Sequence, residues 1–380
     1  MILRPLLGAL LALLVATAPG LGAAELRTAG PRDNGAHDGP GERTEWWFVS
    51  AVDPAQRLAV AVALGAEFPA TPPATVVFLY LPDGTVATVA APRTRARPPD
   101  EARADVRLGP DRLWSPETGV VRVRVRMPVG IPLFGASPGP VSLDLTLHAT
   151  APGFTAGPLA LPGGQDLSWT VAAPSARVTG TIRAGARRLR LRDALGYHDH
   201  NFGAFDLGDD AHGGWDWNQV HLPGGRSLVS GIVRPSDPAL RDGVLVLSDR
   251  SGRLGTARAD EVAIRRGAWS RVGPHSYPRR LALEATLSGG WRARVRYRAQ
   301  RAAPLRFSAD GSSALVEVEA RTSGELLRHG RVVSRWSAAP AFYEYESTPV
   351  TRERDAVPGS LAWTARLVLR AAGTLRNAAA

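Results

Sequence analysis

The chain has 380 residues, 44% of them hydrophobic, and a formal net charge of +11. It has no cysteine, which excludes disulfide stapling and thiolate chemistry, so stability must come from ordinary apolar burial. Its 46 basic residues are all arginine and lie dispersed, often alternating with apolar residues as in "VVRVRVRMP". Such spacing reads as solvated strand faces; it argues against nucleic-acid binding and fits a weak peripheral contact with an anionic membrane surface.

The chain begins "MILRPLLGALLALLVATAPGLGAAE". A lone positive charge at Arg4, an apolar run from Leu6 to Val15, and small residues at Gly22 and Ala24 have the form of a cleaved signal peptide over 1–24. The apolar run is too short for a stable anchor, and no lipid-accepting cysteine follows the expected cut at Ala24–Glu25. The reading is an exported, soluble protein, periplasmic in a Gram-negative cell. The intact mass of the exported form should then begin close to Glu25; full-length chain recovered from membranes would refute this.

After the leader, period-two alternation marks strands almost everywhere, because successive side chains of a strand point to opposite faces. In chain order it runs through "RLAVAVALGAEF", "TVVFLYL", "VVRVRVRM", "VSLDLTLHA" and "ARVTGTIRA". It continues through "RSLVSGIVR", "GVLVLSD", "LALEATL", "WRARVRYRA", "ALVEVEART" and "LAWTARLVL". Turn clusters such as "LPDG", "LPGG" and "SADGSS" separate these strands, while residues 91–118, rich in Pro, Arg and Asp, read as a long loop. No stretch holds a helical apolar period beyond two turns. The pattern predicts an all-β protein of two antiparallel barrels. A lipocalin-size barrel takes roughly 150–180 residues, so the expected domains are 25–194 and 195–380.

Four segments carry a resemblance: "TEWWFVSAV" at 44–52, "GYHDHNFG" at 196–203, "GGWDWNQVHLPGGRSLV" at 213–229 and "AFYEYES" at 341–347. In order and spacing they resemble the carotenoid 1,2-hydratase (hydroxyneurosporene synthase) family and its wider superfamily of two-domain lipocalin-like proteins. The resemblance implies two lipocalin-like β-barrels packed side by side, with the histidine run near their junction. It also implies an acidic residue that protonates a terminal alkene of an acyclic carotenoid before water adds. The export signal departs from those enzymes, because carotenoids are usually modified at the cytoplasmic membrane.

Hydrating an unactivated alkene needs a proton donor that keeps its proton at neutral pH and a dry pocket that tolerates a carbocation. Aromatic faces suit the cation because they carry no nucleophile to trap it. On an extended segment Tyr197, Asp199 and Asn201 share one face, and His198 and His200 share the other. Asp199 is the expected acid, beside Tyr197 and Asn201, with His198 or His200 orienting it or activating water. In "WDWNQ", Trp215, Trp217 and Gln219 point one way and form an apolar wall with a polar tip; Asp216, facing the other way, is the alternative acid. Of the adjacent Trp46 and Trp47, one indole enters the first barrel and the other faces out or into the junction, so both are candidate substrate contacts; Glu45 is expected to pair with an arginine at the barrel mouth. Tyr343 is a candidate pocket-lining residue on the strand that closes the second barrel.

His198 and His200, with His212 and His221 near in sequence, could supply nitrogen ligands, but no third ligand is signalled and the reading expects neither metal nor cofactor. Nothing resembles a phosphate loop, a nucleophile elbow or a dinucleotide fingerprint. Two functions remain: acid-catalysed hydration, cyclisation or isomerisation of an isoprenoid, or a non-catalytic lipocalin-like carrier of a lipophilic ligand.

Overall fold

The structure, a computed structural model, describes residues 25–37, 43–67, 72–94, 100–206, 214–234, 241–306 and 314–347. The signal-peptide segment, His212 and the strand expected at "LAWTARLVL" lie outside the described residues. Among them, helix is confined to short 3-10 turns, and no helix is long and apolar enough to cross a membrane.

Strands β1 (Leu26–Thr28), β2 (Thr44–Asp53), β3 (Leu58–Glu67), β4 (Ala74–Tyr80) and β5 (Val86–Pro92) open the chain. They are followed by β6 (Asp105–Leu108), β7 (Asp111–Glu117), β8 (Val120–Met127), β9 (Ile131–Phe134), β10 (Val141–Ala149) and β11 (Phe154–Ala160). Two long strands, β12 (Asp166–Ala184) and β13 (Arg187–Gly203), finish the first sheet. The second sheet takes β14 (Trp215–Leu222), β15 (Arg226–Val233), β16 (Gly243–Asp249), β17 (Gly252–Arg258) and β18 (Val262–Val272). It ends with β19 (His275–Leu287), β20 (Trp291–Arg306), β21 (Ala314–Arg328) and β22 (Arg331–Ser347).

The first sheet runs β6-β7-β8-β10-β12-β13-β2-β3-β4-β5-β9, with β11 attached to β12 and β1 to β11; the second runs β17-β16-β15-β14-β22-β21-β20-β19-β18. The pairings are antiparallel, as expected for two lipocalin-like barrels. The chain passes from one sheet to the other between Gly203 and Trp215, so residue 195 falls inside β13, which pairs with β12 over 187–202 and with β2 over 195–203. Part of the expected 91–118 loop is strand. Val106, Leu108 and Leu113 are buried while Asp105 bonds Arg112 bidentately at 2.7 Å on the outer face, so charged outer positions masked the alternation.

Each sheet encloses its own core. Val49, Val60, Val123, Leu145 and Val178 belong to the first, and Val220, Leu245, Leu283, Val295 and Val318 to the second. A third apolar cluster lies between them, where Phe48, Tyr80, Trp169 and Tyr197 meet Trp217, Val229, Val246 and Phe342. Polar contacts also cross this junction: the Tyr80 hydroxyl donates to the Glu317 carbonyl at 2.8 Å, and Arg301 donates to the Leu81 carbonyl at 2.7 Å. Strand alternation thus gives β2, β13, β14 and β22 one face toward a barrel core and one toward the other barrel.

Candidate functional site

On β13 the junction face carries Tyr197, Asp199 and Asn201, and on β2 it carries Trp46 and Phe48. From the other sheet come Trp215 and Trp217 on β14 and Glu344 on β22. With Trp169 of β12 and Phe205 these side chains, Tyr197 excepted, wall a small cavity of about 50 Å³. The pocket therefore lies between the barrels, not inside either.

Asp199 is the polar centre of this cavity and 3% exposed. Its Oδ2 accepts hydrogen bonds from the Tyr197 hydroxyl at 2.6 Å and from Trp169 Nε1 at 2.9 Å; its Oδ1 accepts one from Asn201 Nδ2 at 3.1 Å. Trp217 Nε1 donates in turn to the Tyr197 oxygen at 3.2 Å, so both sheets hold the acid. Burial pushes the Asp199 carboxyl up to about 7; Tyr197, Trp169 and Asn201 pull it back, and the nearby Glu344 carboxyl raises it. The donors favour the carboxylate and burial favours the acid, which poises this group near neutrality. With a single protein donor, Oδ1 is the oxygen with room for a transferable proton.

Aromatic rings, with Leu159, Leu167, Ile232 and Val233, line the remaining wall. Trp46 stacks on Trp215 with centroids 6.4 Å apart, and Trp217 meets Phe48 edge-on at 5.4 Å. Trp169 packs so close to β15 that a Cβ on Gly231 would sit 2.9 Å from its Cζ3; only glycine leaves the indole in position to bond Asp199.

His198 and His200 sit on the opposite face of β13, toward the first barrel, and do not touch Asp199. His198 Nδ1 is 2.8 Å from the Phe48 carbonyl and Nε2 is 2.9 Å from Asn34 Nδ2; burial holds its pKa down to about 4, a neutral ring with both nitrogens occupied. His200 stacks on Trp47, with centroids 4.1 Å apart, and contacts Glu45. Trp47 itself is fully buried on that side and donates to the Asn34 carbonyl at 3.0 Å. His198 and His200 as acid-tuning groups, and Trp47 as a substrate contact, are thus corrected by the strand's two-residue period. Glu45 pairs with His200 and His37 rather than with an arginine; burial raises its pKa, but the two histidines outweigh that and hold it at about 2.

Two further expectations change. Tyr343 points into the second barrel, where its hydroxyl donates to the Pro278 carbonyl and its ring meets Tyr297 edge-on. Gln219 is fully buried between the sheets but lies outside the cavity wall; neither its Oε1 nor its Nε2 has a partner. Asp216 also faces the second barrel, where Arg266 and Arg234 neutralise it, so it is no alternative acid. His221 shares the junction face of β14 with Trp217 and Gln219 but lies outside the cavity wall; burial, with Arg177 of β12 adding to it, holds its pKa down to about 3.

Sequence reasoning missed Glu344 and Trp169. Glu344 accepts from Trp215 Nε1 at 2.8 Å and lies in register with Glu317; burial raises both carboxyls, which stand side by side. A glutamate alternating with Tyr343 and Tyr345 reads as a solvated face, and only the second sheet reveals that this face is buried. A larger hollow of about 380 Å³ lies beside the Pro31–Asn34 turn, but backbone and small side chains such as Ala29, Ala151 and Ala173 make up much of its wall. Asp199 is not among its lining residues.

A buried, aromatic-walled acid at the seam of two antiparallel barrels defines a lipocalin-like two-barrel protein. The chain belongs to the family described as DUF7064, a domain of unknown function, which matches residues 30–339. No curated protein matches it in sequence. Among solved structures it is similar to a candidate AttH from Nitrosomonas europaea, with 20% identity over 88% of this chain and 98% of that one, at a TM-score of 0.55. It is similar to CghA, with 14% identity, coverage of 86% and 99%, and a TM-score of 0.56. It is also similar to kievitone hydratase from Nectria haematococca, with 14% identity, coverage of 80% and 89%, and a TM-score of 0.53. At these identities the likeness is one of fold.

Proposed function

We propose that the protein is an acid catalyst acting on a carbon–carbon double bond of a lipophilic small molecule, a hydro-lyase in its simplest form. One observation carries this reading: a carboxyl poised near pH 7 faces a largely apolar cavity walled by indoles. Asp199 gives its proton to one alkene carbon, and the π electrons of the double bond form the new C–H bond. The cation left on the other carbon is met by Trp46, Trp215 and Trp217. Tyr197, Trp169 and Asn201 stabilise the Asp199 carboxylate while it lacks the proton. Water adds to the cation and returns a proton to Asp199, or an internal double bond closes a ring and the new cation loses a neighbouring C–H proton to Asp199.

The fold neighbours support the reading: one is named a hydratase, and CghA has been solved with the small molecule Sch210972. The finer form, a carotenoid 1,2-hydratase acting on an acyclic carotenoid or terpenoid in the periplasm, rests on the four sequence segments and the leader. Ligand pockets are usually roughly 300–1,000 Å³, so a cavity of about 50 Å³ must open before such a chain enters. Separating Trp46 and Phe205 from Trp215 is the expected movement.

Incubating the protein with acyclic terpenoid alkenes in deuterium oxide tests the chemistry. A hydrated product should carry one new carbon-bound deuterium; recovery of every alkene unlabelled, despite tight binding, would make the protein a carrier. Binding itself should quench tryptophan fluorescence, and Trp217→Ala should weaken it by about 1–3 kcal/mol through lost aromatic contact. Unchanged affinity in that variant would remove Trp217 from the ligand site.

A further inference from the structure

On the far side of the strand that carries Asp199, three metal-ligating side chains converge. His37, Glu45 and His200 each offer a ligand atom, and these atoms lie within 4.8 Å of one another. They come from the segment after the Pro31–Asn34 turn, from β2 and from β13, so the cluster exists only in the folded chain.

The surroundings of His200 hold a hydrogen-bond conflict. Its Nδ1 lies 3.2 Å from the Asp33 carbonyl oxygen and its Nε2 3.0 Å from Glu45 Oε1. Both neighbours accept hydrogen bonds, and a neutral imidazole has a single N–H. Unless the ring is protonated, one of its nitrogens faces an acceptor lone pair to lone pair, in a fully buried position. His198, on the same face two residues earlier, has no such conflict, because a carbonyl meets one nitrogen and an amide donor can meet the other. A cation between His200 Nε2 and Glu45 removes the conflict and leaves Nδ1–H to donate to Asp33. A ligating histidine is ordinarily oriented by just such a carbonyl. Two more buried atoms have no hydrogen-bond partner: His37 Nδ1 and Glu45 Oε2.

We propose that His37 Nδ1, His200 Nε2 and the Glu45 carboxylate bind a zinc-type divalent ion. Two imidazoles and one carboxylate form a borderline donor set that suits zinc and does not suit magnesium or calcium. Zinc bonds of about 2.0–2.1 Å place tetrahedral ligand atoms roughly 3.3 Å apart. His37 Nδ1 stands 3.7 Å from Glu45 Oε1 and keeps 26% of its side-chain surface exposed, so a small movement of that ring closes the set. The ion ties the 31–37 segment to β2 and β13 from behind. It holds the strand that presents Asp199 without touching the cavity.

The test uses the untagged full chain, stripped with a chelator and titrated with zinc chloride, with melting followed in parallel. Expected are saturation near one equivalent and a melting temperature that rises with zinc. Cobalt(II) should give the visible spectrum of a four-coordinate site, three side chains and one water. His37→Gln, at a partly exposed position, should fold and weaken zinc binding at least ~100-fold, since loss of even an outer partner costs about 10–100-fold; Glu45→Gln should do the same. His148→Gln, at an exposed histidine on β10, should change nothing. Absence of saturable binding and of any melting shift would leave a buried imidazolium–carboxylate pair and overturn the site. Binding that survives His37→Gln, or is lost with His148→Gln, would overturn it as well.

Discussion

Asp199→Asn lowers turnover of a confirmed alkene substrate by at least ~100-fold, the low end of general-acid contributions, while ligand affinity stays near wild type. The amide keeps the shape: its oxygen can accept from Tyr197 and Trp169, and Asn201 need only turn its own amide to face it. What the variant loses is the proton. Stability distinguishes this from a structural role. The folded wild type holds the Asp199 proton up to about pH 7, whereas an unfolded aspartate releases its proton near ~3.9. Across that window the folded state binds more protons, so the contribution of Asp199 to stability falls as pH rises. The amide of the variant does not titrate and has no such dependence. Relative to wild type, the variant should gain stability between pH 4 and pH 8, by at most on the order of 4 kcal/mol. Denaturant unfolding at the two pH values measures this. A variant that loses stability at pH 8 along with its activity would make Asp199 a structural corner.

Asp216→Asn has the opposite signature. Asp216 is buried, bonds Arg266 and lies 3.2 Å from Arg234 Nε; a third guanidinium, Arg241, senses the same carboxylate. Removing the carboxylate leaves clustered cations without their counter-charge. Breaking a buried pair costs about 3–5 kcal/mol; because Arg234 and Arg266 keep 15% and 23% of their side-chain surface, roughly 2–4 kcal/mol is expected. The loss should appear as a lower denaturant midpoint with turnover per folded molecule unchanged. A variant of normal stability and no turnover would reassign the acid to Asp216.

Much of the architecture was legible from alternation alone. "VVRVRVRM" and "VSLDLTLHA" became β8 and β10 at the expected positions because each carries one apolar face and one arginine-bearing or polar face. The stretch 105–117 was not legible, since Asp105 and Arg112 satisfy one another on the outer face and obscure Val106, Leu108 and Leu113 beneath. Within the site, the grouping of Tyr197, Asp199 and Asn201 was readable for the same reason of period. The contribution of Trp169 was not, because it arrives from β12, thirty residues before the carboxylate it bonds.

The sequence by itself determined which side chains travel together: Asp199 with Tyr197 and Asn201, Trp215 with Trp217, His198 with His200. A strand's two-residue period sets that without reference to any partner. Only the tertiary structure decided where each group points. β2, β14 and the stretches 196–201 of β13 and 341–346 of β22 are largely buried on both faces, so hydrophobicity cannot distinguish the side facing a barrel core from the side facing the other barrel. That choice sent Trp46 to the cavity and Trp47 behind it, Glu344 to the acid and Tyr343 away. It also set His200 against Glu45, 155 residues apart in the chain, through sheet pairing that local pattern does not encode.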